Sequence, residues 1–217
     1  MWKKIDLSPK RGLFVLKTGV YQSPEDVLSE DIDKIIGYVL DTSGNFSGKN
    51  LIIPINSSEN YMEWGIYQGA MYNNIKGLTR IKADDRSSKS YNDINGKGNT
   101  KFMVNYLNGL KKDIGSESPS LDYCINYSPG YKNGEWYLPS AGEMKLFYDR
   151  RNEFRESCNL IGLGTNMSQD DSGAFYFWSS TEYSSDYAWF LNFDLSSPSC
   201  WDSKGGSRRY VVPFLAF

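Results

Sequence analysis

Three glutamates lie near the most strongly patterned parts of the sequence and are its best candidates for catalysis: Glu135, Glu143 and Glu182. Paired carboxylates can hydrolyse glycosidic bonds without histidine. Glu143, however, follows Ser140 at the spacing of a capping box, in which the two residues satisfy each other's backbone donors at a helix N-terminus. The chain contains no histidine, so the commonest general base and the Ser-His and Cys-His nucleophile pairs are absent. We therefore expect that the protein is not an enzyme.

The sequence also offers no residues with the spacing of a known metal site. Cys124, Cys158 and Cys200 are far apart and odd in number, which argues against a disulfide framework and against paired thiolate ligands. The acidic pairs at 84–85 and 170–171 lack the alternate-position ligands and the glycine of a calcium loop. We expect structural thiols, no bound metal and no cofactor.

Composition and charge limit the classes of protein to which the chain can belong. Hydrophobic residues make up 40% of the chain and aromatic residues 15%, which is enough apolar surface for a real core. The net charge is -2 and the basic residues are scattered, so we expect no nucleic-acid partner. No segment approaches the length of a membrane span, and the apolar run 12–16 is too short for a signal peptide. We expect one domain over residues 1–217, with 1–30 as an N-terminal arm.

Short apolar runs predict the strands of the first half. The runs 12–16, 34–40 and 50–55 are rich in β-branched residues and bounded by turn formers. Turn-forming residues in 41–49 predict that the second and third runs form a hairpin with a long loop. The apolar tail 210–217 predicts a last strand with a bulge or edge position at Pro213. We expect the first and last strands to lie together.

Two stretches have the apolar period of an amphipathic helix. The inner stripe of the first consists of Met103, Tyr106, Leu107 and Leu110. Asn99 or Thr100 is the expected N-cap. The second helix begins after Ser140, and its inner stripe consists of Met144, Phe147, Tyr148 and Arg151. Helices combined with short strands indicate the α+β class.

The last third of the chain changes to a period of two, which indicates a strand with two different faces. The face predicted to be buried consists of Trp189, Leu191 and Phe193. The face predicted to be exposed consists of Phe190, Asn192 and Asp194. The following segment, 194–209, is rich in Ser, Gly and Asp but also contains a tryptophan and two arginines. That mixture is unusual for a passive loop.

Four sequence blocks carry a resemblance to a known family. They are Trp136 to Glu143 (WYLPSAGE), Phe177 to Tyr183 (FWSSTEY), Ala188-Trp189 and the closing Pro-x-Leu-Ala-Phe. Together they resemble a bacterial and phage group with a C-type-lectin-like fold, which includes the variable proteins of diversity-generating retroelements. Residues 93–100 add a looser likeness. The resemblance implies an α+β, C-type-lectin-like domain with two helices on small antiparallel β-sheets.

The resemblance also implies a function. In such variable proteins the C-terminal part is rewritten by adenine-directed mutagenesis, which converts asparagine codons into codons for Ser, Asp, Gly, Tyr, Arg and similar residues. The segment 184–210, called here the variable segment, is dense in these types, whereas Lys204 and Tyr210-Val211 fall where the family keeps an invariant frame. The predicted ligand-binding residues are Tyr183, Ser185, Asp186, Tyr187, Phe190, Asn192, Asp194, Ser197, Ser199, Trp201, Asp202, Gly205, Ser207 and Arg208.

The expected partner is a protein or glycan receptor on a cell surface, in the setting of a phage tail or a bacterial surface adhesin, and homo-oligomerisation stays open. Calcium-dependent sugar binding is not expected, because Trp178-Ser179-Ser180 stands where a sugar-binding C-type lectin has Trp-Asn-Asp. The alternative is a structural or pilus-like bacterial surface module of the same fold without a diversified site.

Overall fold

The computed structural model describes residues 9–46, 49–55, 60–84, 87–130, 135–164, 176–193 and 199–217. The strands are β1 (Phe14–Leu16), β2 (Tyr21–Gln22), β3 (Ile35–Phe46), β4 (Lys49–Ile53), β5 (Tyr61–Glu63), β6 (Trp136–Tyr137), β7 (Tyr176–Glu182), β8 (Tyr187–Asn192), β9 (Ser199–Ser203), β10 (Arg208–Tyr210) and β11 (Phe214–Ala216). The α-helices are α1 (Gly96–Gly109), α2 (Ile114–Glu117), α3 (Pro119–Asn126) and α4 (Ala141–Leu160). Short 3-10 helices cover Pro24–Asp26, Ser29–Lys34 and Ser88–Asn92. The α+β class is confirmed.

The strands form two sheets. One has the order β2-β1-β3-β4-β11-β6, and the other has the order β5-β10-β7-β8-β9. Among the described residues, every pair of neighbouring strands is antiparallel except β10 with β7, which is parallel. The chain crosses between the sheets at Pro213, so the predicted last strand is divided into β10 and β11. The first and last strands share a sheet but are not neighbours, because β3 and β4 lie between them.

The hydrophobic core is layered around the five-stranded sheet. One face of this sheet packs on α4 and on the six-stranded sheet, through side chains such as Trp189, Phe147 and Tyr38. The other face packs on α1 and α3, through side chains such as Trp178 and Met103. Both faces of the five-stranded sheet are therefore covered over much of its area, and this decides which residues of the variable segment reach solvent.

Several predicted elements begin or end elsewhere. The hairpin of β3 and β4 is confirmed, but β3 continues to Phe46, which pairs with Lys49, so its loop is short. The first long helix begins at Gly96 and is capped by Asn95, whose side chain accepts a hydrogen bond from the Gly98 N–H at 3.2 Å. The helices α2 and α3 come in addition to the two long helices predicted.

The long helix α4 begins as predicted. The Ser140 hydroxyl accepts from the Glu143 N–H, and the Glu143 carboxylate accepts from the Ser140 N–H at 2.8 Å. Of its predicted inner stripe, Met144 and Phe147 are fully buried. Among the described residues, no helix is both long and apolar enough to cross a bilayer.

Candidate recognition surface

The pairing of β8 with β9 organises the variable segment. Tyr187 lies opposite Ser203 and Trp189 lies opposite Trp201. Directly paired residues project from the same face of a sheet, and successive residues project from opposite faces. Tyr187, Trp189 and Trp201 therefore share one face. β9 is an edge strand of this sheet, so the side chains at its border can reach solvent.

Three aromatic side chains form a cluster at this edge, and we call Tyr183, Tyr187 and Trp201 the aromatic cluster. The rings of Tyr183 and Trp201 stack with centroids 4.6 Å apart, and the Tyr187 ring meets Trp201 edge-on at 5.1 Å. Tyr183 also packs edge-on against the buried Trp189 at 5.8 Å. Tyr187 is 37% exposed, while Tyr183 and Trp201 are half-buried. The cluster therefore reaches solvent, and the contact of Tyr183 with the buried Trp189 anchors it to the core.

The structure corrects the predicted exposed face of β8. Phe190 is 7% exposed and Asn192 is 8% exposed. The reason is that β8 lies between β7 and β9, and the sheet is packed on both faces. The Arg209 guanidinium lies 4.7 Å from the centre of the Phe190 ring, which covers it further. Ser199 is also fully buried, with its backbone N–H donating to the Tyr91 hydroxyl at 3.1 Å.

Gly205 is a second correction. A Cβ at this position would lie 2.3 Å from the Tyr67 backbone nitrogen and 2.7 Å from the Ile66 carbonyl carbon. A side chain here would force the Ile66–Tyr67 backbone to move, so position 205 is restricted to glycine and cannot serve as a freely variable contact. The residue is also buried.

The other predicted contact residues divide by exposure. Asp186 and Arg208 are exposed, and Ser185, Asp202 and Ser207 are half-buried. Asp202 forms an ion pair with Arg209 on the face of the sheet opposite the aromatic cluster. The predicted residues Asp194 and Ser197 lie outside the described residues. Of the predicted residues, the structure therefore brings Tyr183, Tyr187 and Trp201 into contact, with Asp186 next to them in the chain. It places Arg208 on β10, which β7 and β8 separate from β9.

A buried ion cluster supports the surface from inside. Lys204 and Glu182 are both fully buried, with the Lys204 ammonium 2.5 Å from Glu182 Oε1. Arg80 reaches the other carboxylate oxygen at 2.6 Å. Lys204 also donates to the Met71 carbonyl at 2.9 Å and lies 4.7 Å from the centre of the Trp64 ring. Lys204 is thus a fixed internal residue within the variable segment.

Burial and pairing act in opposite directions on this ion cluster. Burial raises the pKa of Glu182, while the adjacent Lys204 and Arg80 cations oppose that rise. Burial likewise lowers the pKa of Lys204, and the Glu182 carboxylate opposes that shift. Each charge therefore depends on its partner, because an unpaired charge in this site would be strongly penalised.

A polar hub joins the sequence blocks. The Asp93 carboxylate accepts hydrogen bonds from Asn99 Nδ2 at 2.7 Å and from Thr181 Oγ1 at 2.6 Å. The Asp93 carbonyl accepts from the Gly142 N–H at 2.8 Å, and Asn99 also donates to Ser180 Oγ at 3.2 Å. The start of α1, the FWSSTEY block and the start of α4 therefore meet at one buried residue, Asp93, the first two through its carboxylate and the third through its backbone carbonyl.

Sequence reasoning missed two tyrosines beside the surface. The Tyr72 hydroxyl lies 2.6 Å from Ser203 Oγ and accepts from the Gly205 N–H at 2.8 Å. Tyr67 packs edge-on against Tyr72 at 5.6 Å and is 66% exposed. The crowding of aromatic residues around Trp64 was the available signal, but no local pattern linked it to positions 203–207.

The candidate catalytic glutamates have other contacts. Glu143 belongs to the capping box and accepts a hydrogen bond from the Tyr137 hydroxyl at 3.0 Å. Glu182 belongs to the buried ion cluster, and Glu135 is an 84% exposed partner of Lys97. In the part of the chain that the structure describes, no three His, Cys, Asp or Glu residues are arranged to hold a metal ion.

Comparisons with known proteins are sparse. No family model matches the chain, and no curated protein matches it. Among solved structures, the chain is similar to a fimbrial protein from Bacteroides ovatus ATCC 8483, with a TM-score of 0.60 and 16% sequence identity. The match covers 96% of this chain but 49% of the fimbrial protein, so the chain spans about half the length of that neighbour. At this identity the likeness concerns the fold.

Proposed function

We propose that the protein is a recognition module of the C-type-lectin-like type, which binds a protein or glycan receptor on a cell surface. The contact surface consists of the aromatic cluster with the exposed Asp186 next to Tyr187. The observation that carries the proposal is that the rings of Tyr183, Tyr187 and Trp201 pack on one another at a sheet edge and reach solvent. Tyrosine, tryptophan and arginine contribute disproportionately to binding energy at interfaces. Aromatic rings already held by their neighbours also lose little conformational freedom on binding.

The contrast between surface and support favours a diversified surface. Substitutions at exposed positions away from special features cost at most about 0.5 kcal/mol each, so positions such as Asp186, Tyr187 and Arg208 can change without unfolding the domain. Lys204 and Gly205 cannot, for the reasons given above. We propose that a retroelement diversifies the exposed positions. Sequencing the adjoining DNA tests this: a near-duplicate of the variable segment should differ only at template adenines, and its absence would exclude diversification by this route.

The alternative is a pilus-like structural module, and the specific observation that favours it is the likeness to a fimbrial protein. In that case the fold would serve as a building block, and the aromatic cluster would contact another copy or another subunit. Both proposals place the domain at a cell or particle surface, and they differ in what covers the aromatic cluster.

A binding experiment separates them. The purified protein is tested on an array of glycans and on immobilised bacterial surface proteins, together with Tyr187→Ser and Trp201→Ser variants. The control is Tyr61→Ser, because Tyr61 is 48% exposed and lies on the strand at the opposite edge of the same sheet. If the cluster contains a binding hot spot, its variants should weaken binding by about 30-fold or more, corresponding to about 2 kcal/mol.

The outcomes are distinct. Binding that is lost in both cluster variants and kept in Tyr61→Ser supports recognition through the aromatic cluster. Binding that survives in Tyr187→Ser and Trp201→Ser refutes that surface. Self-association that depends on the cluster, without binding to any array member, favours the pilus-like module.

A further inference from the structure

A cleft lies at the edge of the six-stranded sheet, separate from the aromatic cluster. It has a volume of about 480 Å³ and opens between α1, the end of α3 and the edge strand β6. The side chains that matter below are Lys97, Lys101, Val104, Ile125, Tyr127 and Trp136. A volume of this size falls in the range of small-molecule sites.

One face of α1 supplies the charged side of the cleft. Lys97, Thr100, Lys101 and Val104 are spaced at i, i+3, i+4 and i+7, so they project in one direction. Lys97 lies in the first turn of the helix, where the helix dipole adds further positive potential. This side of the cleft is suited to an anion.

The nearby charges leave the cleft net positive. Lys97 lies 3.4 Å from Glu135, whose side chain is 84% exposed, and such an exposed pair is weak. Lys101 is exposed and forms no ion pair with any residue that the structure describes. An incoming anion would therefore find one cation unopposed and one held only loosely.

The opposite side of the cleft is aromatic. The rings of Tyr127 and Trp136 meet edge-on at 4.8 Å. Burial raises the pKa of Tyr127 to about 12, so its hydroxyl stays protonated at neutral pH. Trp136 is only 4% exposed, and its indole N–H has no hydrogen-bond acceptor among the described residues. A buried donor without an acceptor is uncommon in native proteins, and an oxygen atom of a ligand can supply the missing acceptor.

We propose that this cleft binds a small organic carboxylate carried on a ring with an apolar face. The carboxylate lies at Lys97 and Lys101, and the apolar face of the ring packs against Tyr127 and Trp136. This chemistry is shared by hexuronic acids and by aromatic acids, which the experiment distinguishes. The site is independent of the aromatic cluster and does not rest on the proposed recognition function.

The test is a ¹H–¹⁵N NMR titration of the whole chain. The probes are D-glucuronate and 4-hydroxybenzoate, each compared with a neutral counterpart, D-glucose or 4-hydroxybenzamide. Titration to about 10 mM detects dissociation constants near 1 mM. The test variant is Lys101→Glu, and the control is Lys89→Glu, which makes the same charge change at an exposed lysine outside the cleft.

The expected result is saturable shift changes at the amides of Thr100, Val104 and Tyr127 with one of the two acids. The affinity should fall at least tenfold in Lys101→Glu and stay within twofold in Lys89→Glu. The acid that binds more tightly identifies the ring. Trp136→Phe should weaken binding several-fold, because it removes the indole N–H and part of the aromatic surface of the cleft, and dispersed amide shifts should show that the variant stays folded.

Three results would overturn the proposal. One is the absence of saturable shifts with both acids. Another is equal binding of a neutral counterpart, which would remove the role of the lysines. The last is equal weakening by Lys101→Glu and Lys89→Glu, which would reduce the effect to overall charge.

Discussion

Replacing Lys204 by methionine should destabilise the protein by about 3 kcal/mol. The change leaves the fully buried Glu182 carboxylate without the ammonium 2.5 Å away. Breaking a buried ion pair from one side costs about 3 to 5 kcal/mol, and Arg80, still 2.6 Å from the same carboxylate, keeps the loss at the lower end. At about 2 to 4 °C per kcal/mol for a domain of this size, Tm should fall by about 6 to 12 °C.

The measurement is urea unfolding followed by tryptophan fluorescence, with the midpoint and slope determined for each variant. Glu182→Gln combined with Lys204→Met removes both charges, so the double variant should be less destabilised than the sum of the two single variants. Lys89→Met is the control, because it removes an exposed cation and should change stability by less than about 0.5 kcal/mol. A loss below about 1 kcal/mol in Lys204→Met, or simple additivity in the double variant, would refute the buried ion cluster as a structural requirement.

Further predictions concern a close backbone approach, acid sensitivity and thiol reactivity. Gly205→Ala should destabilise the protein by about 1 to 3 kcal/mol, because its Cβ would overlap backbone atoms. Gly109→Ala, where nothing lies within 4 Å of the new Cβ, should be neutral or stabilising by up to about 1 kcal/mol in thermal unfolding. Burial raises the pKa of Asp41, but hydrogen bonds from Ser43 and its pairing with Arg150 outweigh this and leave the pKa below its usual value. Its contribution to stability is therefore present above the unfolded pKa and lost as pH falls through the folded pKa, so the stability gap between wild type and Asp41→Asn in urea should shrink below about pH 4. Burial raises the pKa of Cys158 to about 12, so mass spectrometry should find this thiol unmodified by iodoacetamide at neutral pH until the protein is unfolded.

Each of these predictions has a contradicting result. Equal melting temperatures for Gly205→Ala and Gly109→Ala would show that the backbone next to position 205 can yield. A constant stability gap between wild type and Asp41→Asn from neutral to acidic pH would show that this carboxylate does not titrate with a lowered pKa. Alkylation of Cys158 in the native protein at the rate of a free thiol would show that its site opens readily.

Local signals in the sequence predicted the parts of the fold that are determined locally. The start of α4 was correctly located because Ser140 and Glu143 satisfy each other within one helical turn. The same kind of reasoning placed the N-cap of α1 too late. Gly96 and Gly98 are poor helix formers, yet Asn95 caps the helix there, and Gly96 packs so closely on Ser140 that a Cβ would lie 2.5 Å from its backbone nitrogen.

The exposed face of β8 could not be predicted from its own sequence. A period of two separates the residues of a strand into two faces, but it does not state what covers the second face. Phe190 and Asn192 are buried because β7 and β9 flank β8 and because α1 and α3 lie across that side of the sheet. Asn192 is polar, which favoured the prediction of an exposed side chain, but β8 is buried on both faces and Asn192 is buried with it.

The restriction at Gly205 arises from a contact that is distant in sequence. The backbone that excludes a side chain there belongs to Ile66 and Tyr67, and no spacing rule connects those positions. By contrast, the resemblance placed Lys204 in an invariant frame, and the residue is fully buried against Glu182. The resemblance and the composition singled out Tyr183, Tyr187 and Trp201 among the predicted contact residues, whereas separating the exposed residues from the buried ones required the structure.

A saturation mutagenesis scan of residues 183–210 in a displayed form of the protein, read out by the amount of folded protein, tests most directly whether a substitutable surface lies on a fixed support. The scan needs no ligand. We expect Asp186, Tyr187 and Arg208 to accept nearly all residue types, and Lys204 and Gly205 to accept almost none. Uniform tolerance across the segment, or strong selection at the exposed positions with free substitution at Lys204 and Gly205, would contradict a substitutable surface on a fixed support.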